Sequence, residues 1–248
     1  MHTLLKLTWL EIKLFAREPV TMVFTFALPL IFLFVMGGVF GNAPNPHGII
    51  YGGVGAIDYY VPAYIGLVLC SIGVISLPVH LTGYRERGIF RRFQASSISV
   101  WSIFGSQLFV SFVIAIIGAA LLLIAAIITY DVKLPEDPLL FISAFISSTL
   151  CFSAIGVLLG ALFPTTRAAQ GVGIILFFVM LILGGAGPPT HVMSDQMRAV
   201  GDVTPLRYVI LLLQGPWQGF GWDMESFFIV IGIAVVAAVL SVRFFRWK

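Results

Sequence analysis

Four arginines and one glutamate stand together in Tyr84-Arg-Glu-Arg-Gly-Ile-Phe-Arg-Arg-Phe93, between two long runs that carry no charge at all. Groups of these types make charge-assisted hydrogen bonds, so Arg85, Glu86, Arg87, Arg91 and Arg92 form an exposed handle for a partner. Phe90 and Phe93, three apart with Ile89 beside them, give a short helix there one apolar edge and leave Arg85, Glu86 and Arg92 available. The plainer alternative is a loop that is basic only because cytoplasmic loops between membrane spans are.

Other reactive groups are sparse. His2, His47, His80 and His191 fall on different loops and span ends, and a structural or solvated role is expected even for His191. Cys70 and Cys151 lie inside apolar runs, where they act as small apolar residues, so neither a disulfide framework nor a metal site is implied. The chain has no His-Glu-x-x-His, no Gly-x-Ser-x-Gly and no Gly-x-x-x-x-Gly-Lys-Ser/Thr. It reads as a chain with no catalytic residues, no cofactor of its own and no nucleotide site, so any work it does is powered by another subunit.

The elements that must hold the handle are membrane spans. Apolar residues make up 59% of the 248, charged residues 10%, and the mean hydropathy is +1.04, which sets an integral membrane protein apart from a soluble domain. Charge-free runs predict six transmembrane helices at 20–39, 59–82, 101–129, 139–163, 169–187 and 224–242. With both termini cytoplasmic, eleven of the fourteen lysines and arginines lie inside; only Lys133, Arg198 and Arg207 lie outside. None of the spans holds an Asp, Glu, Lys or Arg in its interior, which argues against proton- or ion-coupled transport. The net charge of +3 is mostly this loop asymmetry and gives no basic face for nucleic acid. The first span is too long and too far from the start for a secretory signal. With no linker or low-complexity tract, residues 1–248 read as a single transmembrane domain.

Residues 3–17 have helical periodicity, with Lys6, Lys13 and Arg17 on one side and Leu4, Leu5, Ile12 and Phe15 on the other. Such a helix lies along the inner membrane surface, unless it is merely the polar start of a longer first span. Pro19 disfavours helix at Glu18 and makes an elbow there. Gly41 to Gly55 reads as an irregular outer loop, Asp131 to Pro138 as a tight outer turn and Phe163 to Arg167 as a short inner turn. After span five the chain differs. Gly184-Gly185-Ala186-Gly187-Pro188-Pro189 ends the helix, and two short helices follow, the first capped by Ser194 or Asp195, the second opened by Pro205. Neither is long enough to span, and Val209 to Leu213 is too apolar for free exposure, so 188–214 reads as a re-entrant helical hairpin from the outer side.

In this order of elements the chain resembles the membrane (permease) subunit of type-2 ABC exporters. The features that carry the resemblance are the basic interfacial helix, the elbow at Pro19, the Glu-x-Gly-x-x-x-Arg-Phe loop after span two and the hairpin ending Thr204-Pro-Leu-Arg-Tyr208. The drug-resistance and antibiotic-export branch looks closest. Ile89, Ser97 and Met193 depart from residues common at those places. The resemblance implies that 84–93 is the coupling helix docking into an ATPase subunit, with Glu86, Gly88, Phe90 and Arg92 on the matching positions. It likewise implies that the 3–17 helix lies against the same subunit, and that Gly187, Pro188, Pro189, Pro205 and Tyr208 belong to an outer gate.

The function expected on that basis is the permease half of an ATP-driven exporter in a bacterial or archaeal plasma membrane. It would work as a homodimer with two copies of a cytosolic ATPase that binds ATP and magnesium. Uncharged spans favour a hydrophobic or amphipathic substrate such as a drug, antibiotic or lipid, met by rings such as Phe24, Phe26, Phe177 and Phe178. Gly156, Gly160 and Ala161 in span four, and Gly171 and Gly173 in span five, serve close helix approach either between copies or within one. The rival readings are export of a lipid-linked glycan by the same architecture and a non-transporting scaffold or sensor that recruits a cytosolic partner.

Overall fold

The structure, a computed structural model, describes residues 13, 15, 17–44, 51, 53–90 and 100–244. Among them the chain is helical, with no strand. Six helices are long and apolar enough to cross a membrane: α1 (Pro19–Phe40), α2 (Ala56–Glu86), α3 (Val100–Tyr130), α4 (Pro138–Leu162), α5 (Thr166–Leu183) and, last in the chain, α8 (Met224–Phe244). Between α5 and α8 lie the shorter α6 (Asp195–Gly201) and α7 (Pro205–Trp217). Each long helix falls on one of the charge-free runs. Two boundaries differ from expectation. The second helix is 31 residues long and carries Arg85 and Glu86 in its last turn. The fifth stops at Leu183, four residues early, because the chain turns at Gly184 and needs the left-handed φ of +98° at Gly185.

Helix α2 is the axis of the bundle. Its apolar stretch is wholly buried inside the chain, whereas the other five are between 17% and 44% buried. A helix that is apolar all round suits that place, since every face meets another helix rather than water. Both α1 and α2 contain a π turn, at Val23–Ala27 and Ile72–Ser76, and each is followed by Leu-Pro. In the second, the Leu77 N–H bonds the Ile72 carbonyl. The next donor in that register would be Pro78, which has no N–H, so the turn widens and the Gly73 carbonyl is left over. Glycine fills the space beside it: a Cβ on Gly156 of α4 would lie 2.6 Å from the Gly73 oxygen, and one on Gly173 of α5 would strike the Val74 oxygen. Gly160 sits likewise against Leu81. These glycines therefore serve close approach within one chain, while among the described residues nothing lies near Gly171. The buried hydroxyls of Ser71 and Thr25 bond each other at 2.9 Å and join α2 to the π turn of α1.

The end of the bundle opposite Arg85 is closed by a half-buried amide. Asn42 Oδ1 accepts from the Ile57 and Asp58 N–H groups at 3.0 Å each, which caps α2 from outside its own sequence. Its Nδ2 donates to Asp58 Oδ2 and to the Tyr130 carbonyl, both at 3.2 Å. Asp58 Oδ1 takes the Lys133 N–H at 3.0 Å. The segment read as an irregular loop thus contributes a residue that satisfies all four amide positions.

At the same end α7 packs an apolar face of Leu206, Val209, Ile210 and Leu213 into the core over Gly66 of α2. Its Gln214 donates to the Tyr59 carbonyl at 3.0 Å. The run Thr204 to Tyr208 acts as a fastening. Thr204 donates to the Gly201 carbonyl, Pro205 starts the helix, Leu206 fills the core, Arg207 pairs with the Asp202 carboxylate and Tyr208 donates to the Asp202 carbonyl.

Candidate coupling site at the basic end

The end of α2 that carries Arg85 and Glu86 meets the α4–α5 turn, and the two charges are spent there. The Arg85 guanidinium donates to the Gly160 carbonyl at 3.1 Å, to that of Ala161 at 3.3 Å and to that of Phe163. These are carbonyls at the C-terminus of α4 that lack an intrahelical donor, and a planar cation with five donors satisfies them while opposing the negative end of the helix dipole. Glu86 does the converse for α5. Its carboxylate accepts from the Thr166 N–H at 3.0 Å and the Thr166 hydroxyl at 2.6 Å, at the positive end of that helix. Thr165 adds a local cap by accepting from the Ala168 N–H. One turn of α2 thus clamps the end of one helix and the start of the next.

Arg85 and Glu86, expected to be available to a partner, are thus hydrogen-bonded within the chain, with Glu86 still exposed and Arg85 half-buried. Both are engaged inside the chain because a helix end without a cap leaves unpaired carbonyls or N–H groups, and these two side chains are within reach of both ends. Phe90 is also turned inward: it is 2% exposed, edge-on to Tyr84 with ring centroids 6.0 Å apart, and grouped with Leu77 and Leu81. What makes it turn back is Gly88, whose φ of +65° ends the helix, with its N–H on the Arg85 carbonyl. Arg87 is exposed. Arg91 and Arg92 lie outside the described residues. An open groove of about 500 Å³, lined by Arg85, Glu86, Phe163, Pro164 and Phe244 among others, runs beside the clamp.

The elbow stands next to it. Glu18 is extended before Pro19, as expected, and its carboxylate accepts from the Thr21 hydroxyl at 3.2 Å. Lys13 and Arg17 are exposed and Phe15 is buried against Phe26 and His80. Lys6 and most of the 3–17 helix lie outside the described residues. Thr166 was the residue that sequence reasoning missed; the signal for it was the pair Thr165-Thr166 just before a helix, which marks an N-terminus in need of caps.

The residues expected at an outer gate gather at the opposite end, some of them around α7. Tyr60 donates to the Gly187 carbonyl at 2.9 Å, and Pro205 and Tyr208 take the places described above. Phe24, Phe177 and Phe178 pack edge-on against one another, centroids 5.3–5.9 Å apart, and Phe177 is fully buried. They fill the contact between α1 and α5.

A model of the ABC-2 type transporter family matches residues 3–217. Among curated proteins none matches the chain.

Proposed function

The chain belongs to the ABC-2 type transporter family, as a membrane-embedded permease subunit of the kind that pairs with ABC ATPases, and from that premise we propose that it exports a neutral hydrophobic or amphipathic solute, with movement relayed through the Arg85–Glu86 clamp. The basic end, with Arg17, Arg87, Arg167 and Arg243 exposed, faces the cytoplasm under the charge rule for membrane loops. The ATPase seats against the groove beside Arg85 and Phe244, and the exposed Arg87 offers it a contact. At the other face α6 and α7 enter the membrane from outside without crossing. At 13 residues, α7 is about 20 Å long, short of a core of roughly 30 Å. Two copies of the chain form the pathway in a bacterial or archaeal plasma membrane, in the manner of drug and antibiotic exporters.

The clamp is the observation that carries this reading. A push on the segment after Glu86 cannot move α2 alone, because Arg85 holds the end of α4 and Glu86 the start of α5. Three spans are therefore displaced together. Hydrogen bonds to a charged group contribute roughly 1.5–3 kcal/mol, and the exposure of Glu86 places its two bonds at the low end. Replacing Glu86→Ala should leave the complex with its ATPase assembled and hydrolysing ATP. ATP-driven movement of the neutral dye Nile red in proteoliposomes should fall about tenfold per ATP spent. Unchanged transport per ATP would refute the relay, and an assembled complex that never moves a solute would favour the scaffold reading.

A further inference from the structure

His80 of α2 is 7% exposed and sits at the joint between that helix and the N-terminal elbow. Its Nδ1 lies 2.8 Å from the Ser76 carbonyl, which can only accept, so Nδ1 carries hydrogen in either charge state and the nitrogen that titrates is Nε2. Phe15 stacks on the ring, centroids 6.5 Å apart, and the Glu18 carboxylate comes within 3.9 Å of Nδ1. The buried Thr21 hydroxyl donates to that carboxylate at 3.2 Å and holds it in place. Two small cavities flank the ring. One, of about 30 Å³, is walled by Glu18, His80, Tyr84, Arg87 and, from α5, Thr166. The other, of about 10 Å³, is walled by Phe15, Ser76 and His80 and, from α3, by Gln107 and Ser111. Among the described residues the charges that face His80 are therefore Glu18 and Arg87. Glu18 stands at ion-pair distance with its side chain 32% exposed, whereas Arg87 is exposed and its field is screened by water and salt.

We propose that His80 and Glu18 form a proton-operated latch between the N-terminal segment and α2: a proton from the surrounding solution charges the imidazole and fastens the elbow, and its loss lets the elbow loosen. Histidine is the side chain whose ordinary charge change falls between about pH 5 and 8, a range in which a glutamate is ionised. The pair is complete at the acid end of that range and becomes a carboxylate beside a neutral ring at the alkaline end. Grip on the elbow therefore rises as pH falls. The latch is placed to bear on the clamp. Glu18 shares its cavity with Arg87 and with Thr166, whose N–H and hydroxyl Glu86 accepts. A fastened elbow ties the start of α1 to the turn where α2 meets α4 and α5, whatever solute the chain moves.

Amide hydrogen exchange of the full chain in detergent, corrected for intrinsic rates, reads the latch at its own backbone. The Glu18 N–H bonds the Phe15 carbonyl at 3.1 Å and the Met22 N–H bonds the Glu18 carbonyl at 3.0 Å. Protection of these two amides should be about fivefold greater near pH 5.5 than near pH 8, the factor that an ion pair of ~1 kcal/mol gives, while that of α8 stays level. Glu18→Gln removes the charge and keeps an acceptor for Thr21; His80→Asn removes the titration and keeps a donor for the Ser76 carbonyl. Each should hold the two amides at the parent's alkaline level at both pH values, in protein that melts near pH 8 as the parent does. A parent whose elbow protection is the same at both pH values overturns the proposal. So does a pH response that persists in either variant, which would assign the sensing to another group. Exchange needs neither ATP nor the partner, so failure of the latch is separable from failure of transport.

Discussion

Replacing Gly156→Ala adds one carbon at the tightest point beside the α2 π turn, and the consequence can be worked out in ångströms. The new Cβ would lie 2.6 Å from the Gly73 carbonyl oxygen and 2.9 Å from the Leu77 Cβ. A comfortable C–H···O approach is about 3.3–3.6 Å, so α4 must retreat by roughly 0.7–1 Å from a helix packed on all sides. Overpacking of this kind costs about 1–3 kcal/mol, and the retreat also breaks the C–H···O contact that covers the leftover carbonyl. Alanine regains up to ~1 kcal/mol of helix propensity, so the net loss should be about 1–3 kcal/mol. For a chain of this size that is a fall of about 5 °C in Tm, read by thermal denaturation of the purified protein in detergent. Gly232→Ala is the control, since nothing among the described residues lies within 4 Å of its Cβ, and it should melt at or above the parent. The cause can be isolated with Pro78→Ala, which returns an N–H to the Gly73 carbonyl and lets the turn relax. In that background Gly156→Ala should cost less, by at least about 0.5 kcal/mol. If Gly156→Ala melts with Gly232→Ala, the account of the π turn as a freed carbonyl housed by glycine is refuted.

Asn42→Leu should be harsher, because it strips the acceptor from two N–H groups of α2 and the donor from Asp58 and the Tyr130 carbonyl at once; about 3–5 kcal/mol is expected at ~1–3 per stranded buried group, measured as the same Tm, and a loss below 1 kcal/mol would remove the amide from the account of that end. A reporter fused after Lys248 should lie in the cytoplasm and a thiol label on Ser194→Cys should react from outside; an external C-terminus would overturn the orientation and the hairpin reading together.

The spans were legible because a bilayer tolerates only long uncharged helices, so 20–39 or 224–242 needed no knowledge of neighbours. The elbow was legible too, since Pro19 acts on Glu18 next to it. What escaped were features made by partners far apart in sequence. Arg85 and Glu86 look like free charges when read along the chain, and only the arrival of α4 and α5 at that turn makes them caps. Asn42 sits in a stretch of Gly and Pro that reads as loop, 16 residues from Asp58 and 88 from Tyr130. The π turns were hidden for a different reason. Pro29 and Pro78 were visible, but proline in a membrane helix can be absorbed by a kink, a widened turn or a neighbour's donor, and the choice depends on what packs beside it. Here Gly156 and Gly173 supply room for displaced carbonyls, so widening prevails.

The fold places these features on one element, which bears on how a distant push could act. Helix α2 begins in the Asn42 network, widens where Gly156 and Gly173 touch it, and ends in the clamp. Its two ends are fixed by hydrogen bonds to other segments of the chain, whereas its middle is held mainly by close packing. Hydrogen-bonded caps are directional and break if the ends twist; packed glycine contacts allow small sliding before they clash. Displacement at the basic end is therefore taken up at the π turn, where the chain already has a residue more than the α-helical register and a carbonyl unclaimed by its own backbone. Under the transport reading this puts the yielding point of α2 at Leu77, the residue that closes the π turn.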